Sequence, residues 1–301
     1  MNLITILTLL SYFFAAVIAQ VPIYTFPVNT CNYYVSGGNG VQLFVEEKGN
    51  PEMTTIVFTS GFLGTRNSWE PQWTDPYLSK KFHLVRWDCR GLGKSGKPNE
   101  YSLKLHSDDL AAVVSKVLSN KSNKKIVLVG WSYGSAVSLT FMQNYPDIEI
   151  HGFISVVGVV NFIFEPTIEF ANITTTLKNS DDFTAIVSVI TLFYENISAK
   201  PLSDELKSLM LGTAVLASKG YRETSLFDST ADLSNFFSDL NIPTLNIIGA
   251  QDRMVPFSYG LYYAGLAKRE NKSIYEECGH FPQWEVTQKL NYDISKFVSN
   301  V

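Results

Sequence analysis

Short apolar runs bounded by turn residues recur along this chain. Those at Val41 to Glu47, Thr55 to Thr59, His83 to Asp88, Ile126 to Gly130, Ile150 to Val157, Thr244 to Gly249 and Ser273 to Glu277 have the length and alternation of strands. Between them the period lengthens. Leu103 to Leu118 is amphipathic, with Leu110, Val113, Val114, Val117 and Leu118 on one side, and Ser135 to Asn144 and Gln288 to Val298 also read as helices. Strands that alternate with helices predict an α/β fold, a mostly parallel sheet covered on both faces.

The alternation breaks between about Asn161 and Asn241, where the pattern turns helical and aromatic, with Phe162, Phe164, Phe170, Phe183, Phe193 and Tyr194. This predicts a helical cap over residues 161–225, inserted in a core made of residues 20–160 and 226–301. The turn Asn241-Ile242-Pro243 returns the chain to a buried strand.

The first residues add a compartment. Met1 to Gln20 is apolar and carries no charged side chain, and Val17-x-Ala19 sets small residues before a cut. A signal peptide over residues 1–19, and hence a secreted protein, is the expectation; an uncleaved anchor is the alternative, since the run approaches the length of a membrane span. Asn120, Asn172, Asn196 and Asn271 each open an Asn-x-Ser/Thr sequon, as a glycoprotein would carry. Three cysteines are an odd number, so at least one thiol stays free or pairs between chains, and Cys278 reads as a packing residue at a strand end. A net charge of -4 leaves no basic stripe for nucleic acid. Clustered Cys/His spacing is missing from the sequence, so no metal is expected.

The strongest chemical signal is Gly130-Trp131-Ser132-Tyr133-Gly134 between the buried run Val127-Leu128-Val129 and the helical run Ser135-Ala136-Val137-Ser138-Leu139. This is G-x-S-x-G in the strand, sharp turn and helix that make a nucleophile elbow, and it nominates Ser132. A serine hydroxyl needs a base, and the base a carboxylate to fix its tautomer. His83 and His151 fall at the N-terminal ends of strands, the wrong edge of a parallel sheet, and His106 lies in a polar helical stretch. His280 follows the last strand and is the base that position selects. Asp252, in the turn after Leu245 to Gly249, is the acid, with Glu165 and Asp228 as weaker candidates that no clear strand delivers. The backbone amides of Phe62, in the loop Ser60 to Gly64, and of Tyr133 would form the oxyanion hole. Gly91-Leu92-Gly93-Lys94-Ser95-Gly96 matches G-x-G-x-x-G, but Lys97-Pro98 follow and no helix opens there, so a dinucleotide site is rejected.

With these residues in hand the chain resembles the α/β-hydrolase superfamily, in its capped branch of esterases, lipases, carbon-carbon bond hydrolases and epoxide hydrolases. Besides the elbow, Ser60-Gly61-Phe62-Leu63-Gly64 is similar to the family's H-G-F-x-G, and Asp88-Cys89-Arg90-Gly91-Leu92-Gly93-Lys94-Ser95 to its D-x-R-G-x-G-x-S. Gly249 to Pro256 and Cys278 to Pro282 resemble the acid and histidine loops. Ser60 stands where the family usually has His, and Ser135 replaces a frequent Gly. Ser132 stands where epoxide hydrolases carry Asp, which turns the expectation to acyl transfer. The resemblance implies a serine hydrolase that needs no cofactor and acts on a small ester, and the aromatic insertion with Phe62, Trp131 and Tyr133 nearby favours an apolar one, with Trp131 and Phe281 in the substrate pocket. Carbon-carbon hydrolysis, perhydrolysis by the same triad and a non-catalytic receptor are the alternatives.

Overall fold

The structure is a computed structural model and describes residues 30–119, 122–161, 168–224, 232–268 and 271–301. The signal peptide expected at residues 1–19, Asn120, Phe162, Phe164, Glu165 and Asp228 lie outside the described residues, as do those on either side of the expected cap boundary at 225.

The central strands are buried at every position because both faces of the sheet are covered. β3 (Thr55–Thr59), β5 (Ile126–Trp131) and β7 (Thr244–Gly249) are buried throughout, as strands in the middle of a parallel sheet must be. They are joined by β1 (Cys31–Ser36), β2 (Gln42–Lys48), β4 (His83–Trp87), β6 (Gly152–Val156) and β8 (Lys272–Tyr275). Among the described residues these form one sheet in the order β1-β2-β4-β3-β5-β6-β7-β8. Pairing is parallel from β4 through β8 and antiparallel at β1-β2 and β2-β4. β1 is an addition to the expected strands. None of its residues is fully buried, so its hydrophobic pattern carries little of the signal that marks the others.

The helices of the core are α1 (Glu70–Trp73), α2 (Pro76–Lys81), α3 (Leu103–Ser119), α4 (Tyr133–Asn144), α10 (Phe257–Gly265), α11 (Pro282–Glu285) and α12 (Thr287–Val298). α3 packs on α4, and α12 buries Leu290, Ile294, Phe297 and Val298 at helical spacing. Between β6 and β7 lie α5 (Ile168–Asn179), α6 (Phe183–Asn196), α7 (Asp204–Ala214), α8 (Lys219–Thr224) and α9 (Ser234–Asp239). Asp182 caps α6 by accepting Ala185 N–H at 3.0 Å, and Ser203 caps α7 by accepting Leu206 N–H at 3.2 Å.

Two expectations are corrected. α4 starts at Tyr133, two residues before the apolar run that announced it, because the turn at Ser132 leads straight into the helix. His106, in the stretch read as polar, is fully buried in α3, its ring edge-on to Tyr133 at 5.5 Å. Cys31, Cys89 and Cys278 are all free thiols.

Candidate active site

The elbow follows from the glycines around it. A Cβ on Gly130 would lie 2.6 Å from the Gly134 carbonyl oxygen, and one on Gly134 would collide with the Thr59 carbonyl, so helix α4 approaches β5 and the end of β3 this closely only with hydrogen at both positions. Between them Ser132 adopts φ 53, ψ -120. A non-glycine residue held there costs about 1–3 kcal/mol, met by the packing around it. Ser132 N–H donates to Val156 C=O at 2.9 Å and its carbonyl accepts Ser135 N–H at 2.9 Å, which fixes the turn while the side chain stays half-buried. Ser135 fills the space of the family's frequent glycine productively: its hydroxyl donates to Gly130 C=O at 2.8 Å and accepts from Ser155 at 3.1 Å.

His280 and Asp252 reach the same point from β8 and β7. Ser132 Oγ and His280 Nε2 are 2.8 Å apart, and His280 Nδ1 meets Asp252 Oδ2 at 2.6 Å. The two side chains are only 4% and 3% exposed, so little solvent screens their charge interaction. Asp252 Oδ1 is held by the amides of Met254 and Val255 at 2.8 and 2.9 Å, leaving Oδ2 for the imidazole. The acid and histidine loops are also stitched together: Ala250 N–H donates to Tyr275 C=O at 3.0 Å and Gln251 N–H to Cys278 C=O at 2.9 Å. Gly249 is required here, since a Cβ would strike the Gly279 carbonyl.

The backbone of His280 is pinned on both sides. Its N–H donates to Ile197 C=O, in the stretch after α6, at 2.7 Å, and its C=O accepts Trp131 Nε1–H at 2.7 Å. The expected oxyanion loop lies beside Ser132, because a Cβ on Gly61 would press on Ser132 Cβ and the Trp131 carbonyl, both at 3.1 Å. Ser60, in place of the family's His, closes this loop by donating to Thr65 C=O at 2.8 Å.

A cavity opens on Ser132 and His280, lined by Phe62, Trp131, Tyr133, Val159, Phe170, Phe193, Met254 and Val255. Phe170 and Phe193 come from α5 and α6, so the insertion roofs the serine. Trp131 lines this space but is 1% exposed and chiefly packs, while Phe281 is fully buried against Trp131 at 5.0 Å and lies outside the lining. Among the described residues no Lys or Arg lines the cavity.

Glu285 and Asp88 were missed as organisers of the loops. Glu285, at the end of α11, accepts the amides of Gly279 and Phe281 at 3.0 Å and of Ala199 at 2.7 Å. The signal was there: Pro282 marks a helix start, and an acid in the first turn can reach back to the unpaired amides before it. Burial, and then the Glu285 charge, push the Cys278 thiol well up, which keeps it protonated beside the histidine loop. Asp88 sits inside the glycine-rich loop and accepts Arg66 N–H at 2.9 Å, Arg66 Nη1 at 2.8 Å and Lys94 N–H at 2.9 Å. A Cβ on Gly93 would overlap the Asp88 carboxylate, so this loop wraps a protein anion and holds no phosphate. Ser95 completes it by accepting Phe44 N–H at 2.9 Å and donating to the Asp88 carbonyl at 2.5 Å.

A chain of serine, imidazole and buried carboxylate at the C-terminal edge of such a sheet is the arrangement of a hydrolase of the α/β-hydrolase fold. The chain belongs to that family. The family's model, described as alpha/beta hydrolase fold, matches residues 54–183. Among solved structures, one described as a candidate aryl esterase from Burkholderia cenocepacia is 30% identical, with a TM-score of 0.81 over 89% of this chain and 98% of that one. The AB hydrolase superfamily protein YisY of Bacillus subtilis is 24% identical over 88% of this chain and 98% of its own length. A 2-hydroxy-6-oxononadienedioate/2-hydroxy-6-oxononatrienedioate hydrolase of Pseudomonas putida is 25% identical over 75% of this chain and 80% of its own.

Proposed function

We propose that the protein is a serine hydrolase of carboxylic esters with apolar acyl or alcohol groups. The observation that carries this reading is the continuous hydrogen-bonded chain Ser132–His280–Asp252, at 2.8 and 2.6 Å, with Ser132 on a strained turn. His280 Nε2 takes the Ser132 proton as Oγ attacks the ester carbonyl, and Asp252 holds the imidazole in the tautomer that can accept it and stabilises the imidazolium. The Phe62 and Tyr133 amides receive the oxyanion. His280 then returns the proton to the leaving alcohol, and a water deprotonated by the same imidazole releases the acyl group and restores Ser132.

The 30% identity to the candidate aryl esterase and the aromatic lining support the ester and the apolar substrate. Carbon-carbon hydrolysis is the second reading, favoured by the similarity to the Pseudomonas putida enzyme. That relative is named for dicarboxylates, however, and the cavity offers no cation among the described residues to meet a second carboxylate. Secretion rests on the sequence alone, from the apolar leader and the sequons.

The deciding experiment is turnover of p-nitrophenyl esters of graded chain length beside the Ser132→Ala variant. Activity that is lost with the serine hydroxyl supports the reading, and the length profile sizes the cavity. Failure of the unaltered protein on every ester, with turnover of a vinylogous diketone instead, would replace it with the second reading.

A further inference from the structure

Residues Gly61 to Gly64 form a tight turn in which Gly64 N–H donates to Gly61 C=O at 3.0 Å. Leu63, the third residue of that turn, has φ 58. A positive φ at this position is the signature of a type II turn, where glycine is ordinarily found because a side chain crowds the backbone. Leucine there needs support from outside the turn. The insertion supplies it from two separate helices. Tyr221 Oη, on α8, accepts Leu63 N–H at 3.2 Å, and Tyr194 Oη, on α6, donates to Leu63 C=O at 3.4 Å. Both tyrosines are at most 2% exposed, and neither lines the cavity. The Tyr221 ring also stacks on Phe62 at 5.5 Å and 12° and is held edge-on by Tyr101 and His106.

We propose that Tyr194 and Tyr221 are positioning residues that clamp Leu63 in its left-handed conformation and thereby hold the Phe62 amide where the oxyanion develops. The oxyanion hole is then complete only when α6 and α8 are seated on the core. Without the two hydroxyls, Leu63 is free to relax to negative φ and the Phe62–Leu63 peptide turns over; Phe62, and with it the Gly61–Phe62 peptide that carries the Phe62 N–H, loses its fixed orientation. The inference rests on the serine hydrolase reading, in which Phe62 N–H is an oxyanion donor.

The test compares the full chain with Tyr194→Phe, Tyr221→Phe and the double variant, which keep the rings and remove only the hydroxyls. Two readouts are used: kcat and KM on p-nitrophenyl butyrate, and the affinity of phenylboronic acid, whose boron takes Ser132 Oγ into a tetrahedral adduct like the transition state. Loss of one oxyanion donor outright costs about 100- to 1,000-fold in kcat. Misaiming one should cost less: about tenfold in each single variant and about 50-fold in the double, with KM within about twofold and boronate affinity falling in step with kcat. Tyr33→Phe, on edge strand β1, removes a hydroxyl bonded to Glu47 and serves as the control for general loosening; its kcat should not change. If Tyr221→Phe does not fold, Tyr194→Phe carries the test. Folded Phe variants with unaltered kcat and boronate affinity would overturn the clamp while the serine hydrolase stands. A wild type that neither turns over esters through Ser132 nor binds the boronate would remove the hydrolase reading and the clamp with it.

Discussion

Both carboxylate oxygens of Glu285 lie 3.0 Å from the amide of Gly279, the residue immediately before His280. The same carboxylate takes Phe281 N–H on the other side of the histidine and Ala199 N–H from the insertion. Three backbone amides on one acidic side chain call for an acceptor with no N–H of its own. Glu285→Gln turns an amide group towards them and should lower stability by about 2 kcal/mol, with a parallel fall in kcat as the histidine loop loosens. Urea denaturation and steady-state kinetics measure both. An unshifted midpoint would show that the loop is held by other bonds.

His106 makes stability depend on acid. Burial, and then the Arg90 charge, lower its pKa from the ordinary imidazole value to about 3, and neither ring nitrogen has a hydrogen-bond partner among the described residues. Arg90 is itself paired with Asp109 at 2.7 Å. Because the folded value lies below the unfolded value of about 6.5, the unfolded chain takes up this proton first. This group's contribution to stability is therefore unchanged above about pH 6.5 and declines as pH falls towards about 3, by up to ~1.4 kcal/mol per unit. His106→Phe should flatten the slope of unfolding free energy between about pH 6 and pH 4 by one proton. Equal slopes in the two proteins would mean that the imidazole is protonated in the fold.

Thiol chemistry separates the three cysteines. Cys31 is exposed on an edge strand, whereas Cys89 and Cys278 are 4% and 0% exposed and burial raises both of their pKa values. A maleimide should label the native protein once, at Cys31, and all three positions after denaturation, as counted by intact mass and peptide mapping. Native labelling at Cys278 would mean that the histidine loop opens.

What the sequence reveals of this fold depends on how each element is buried. β3 and β7 match their expected bounds at both ends, and β4, β5 and β6, also buried throughout, lie within two residues of theirs. β1 lies at the sheet edge and contributes no buried run. Ser132, Asp252 and His280 are each legible because each sits in a local motif, a strand followed by a characteristic turn. The two tyrosines are not, and Glu285 is so only in part. Of Glu285 only the local half is legible, its reach back to Gly279 and Phe281 across the start of α11, while Ala199 lies 86 residues away; Tyr221 and Leu63 are 158 residues apart, and no window of sequence contains both members. His106 misleads for the same reason: its neighbours in α3 are polar, and its burial comes from Tyr133 and Tyr221.

The bond from His280 N–H to Ile197 C=O bears on how this scaffold can be re-engineered. Insertions between β6 and β7 invite exchange between relatives as a way of altering selectivity. Here such a graft would reach His280 as well as the roof. A chimera that replaces residues 168–224 but omits a carbonyl at the place of Ile197 removes one of the two backbone anchors of its own imidazole. The modular boundary for recombination therefore runs inside the insertion, on the near side of Ile197, Ser198 and Ala199, and those three residues travel with the histidine loop.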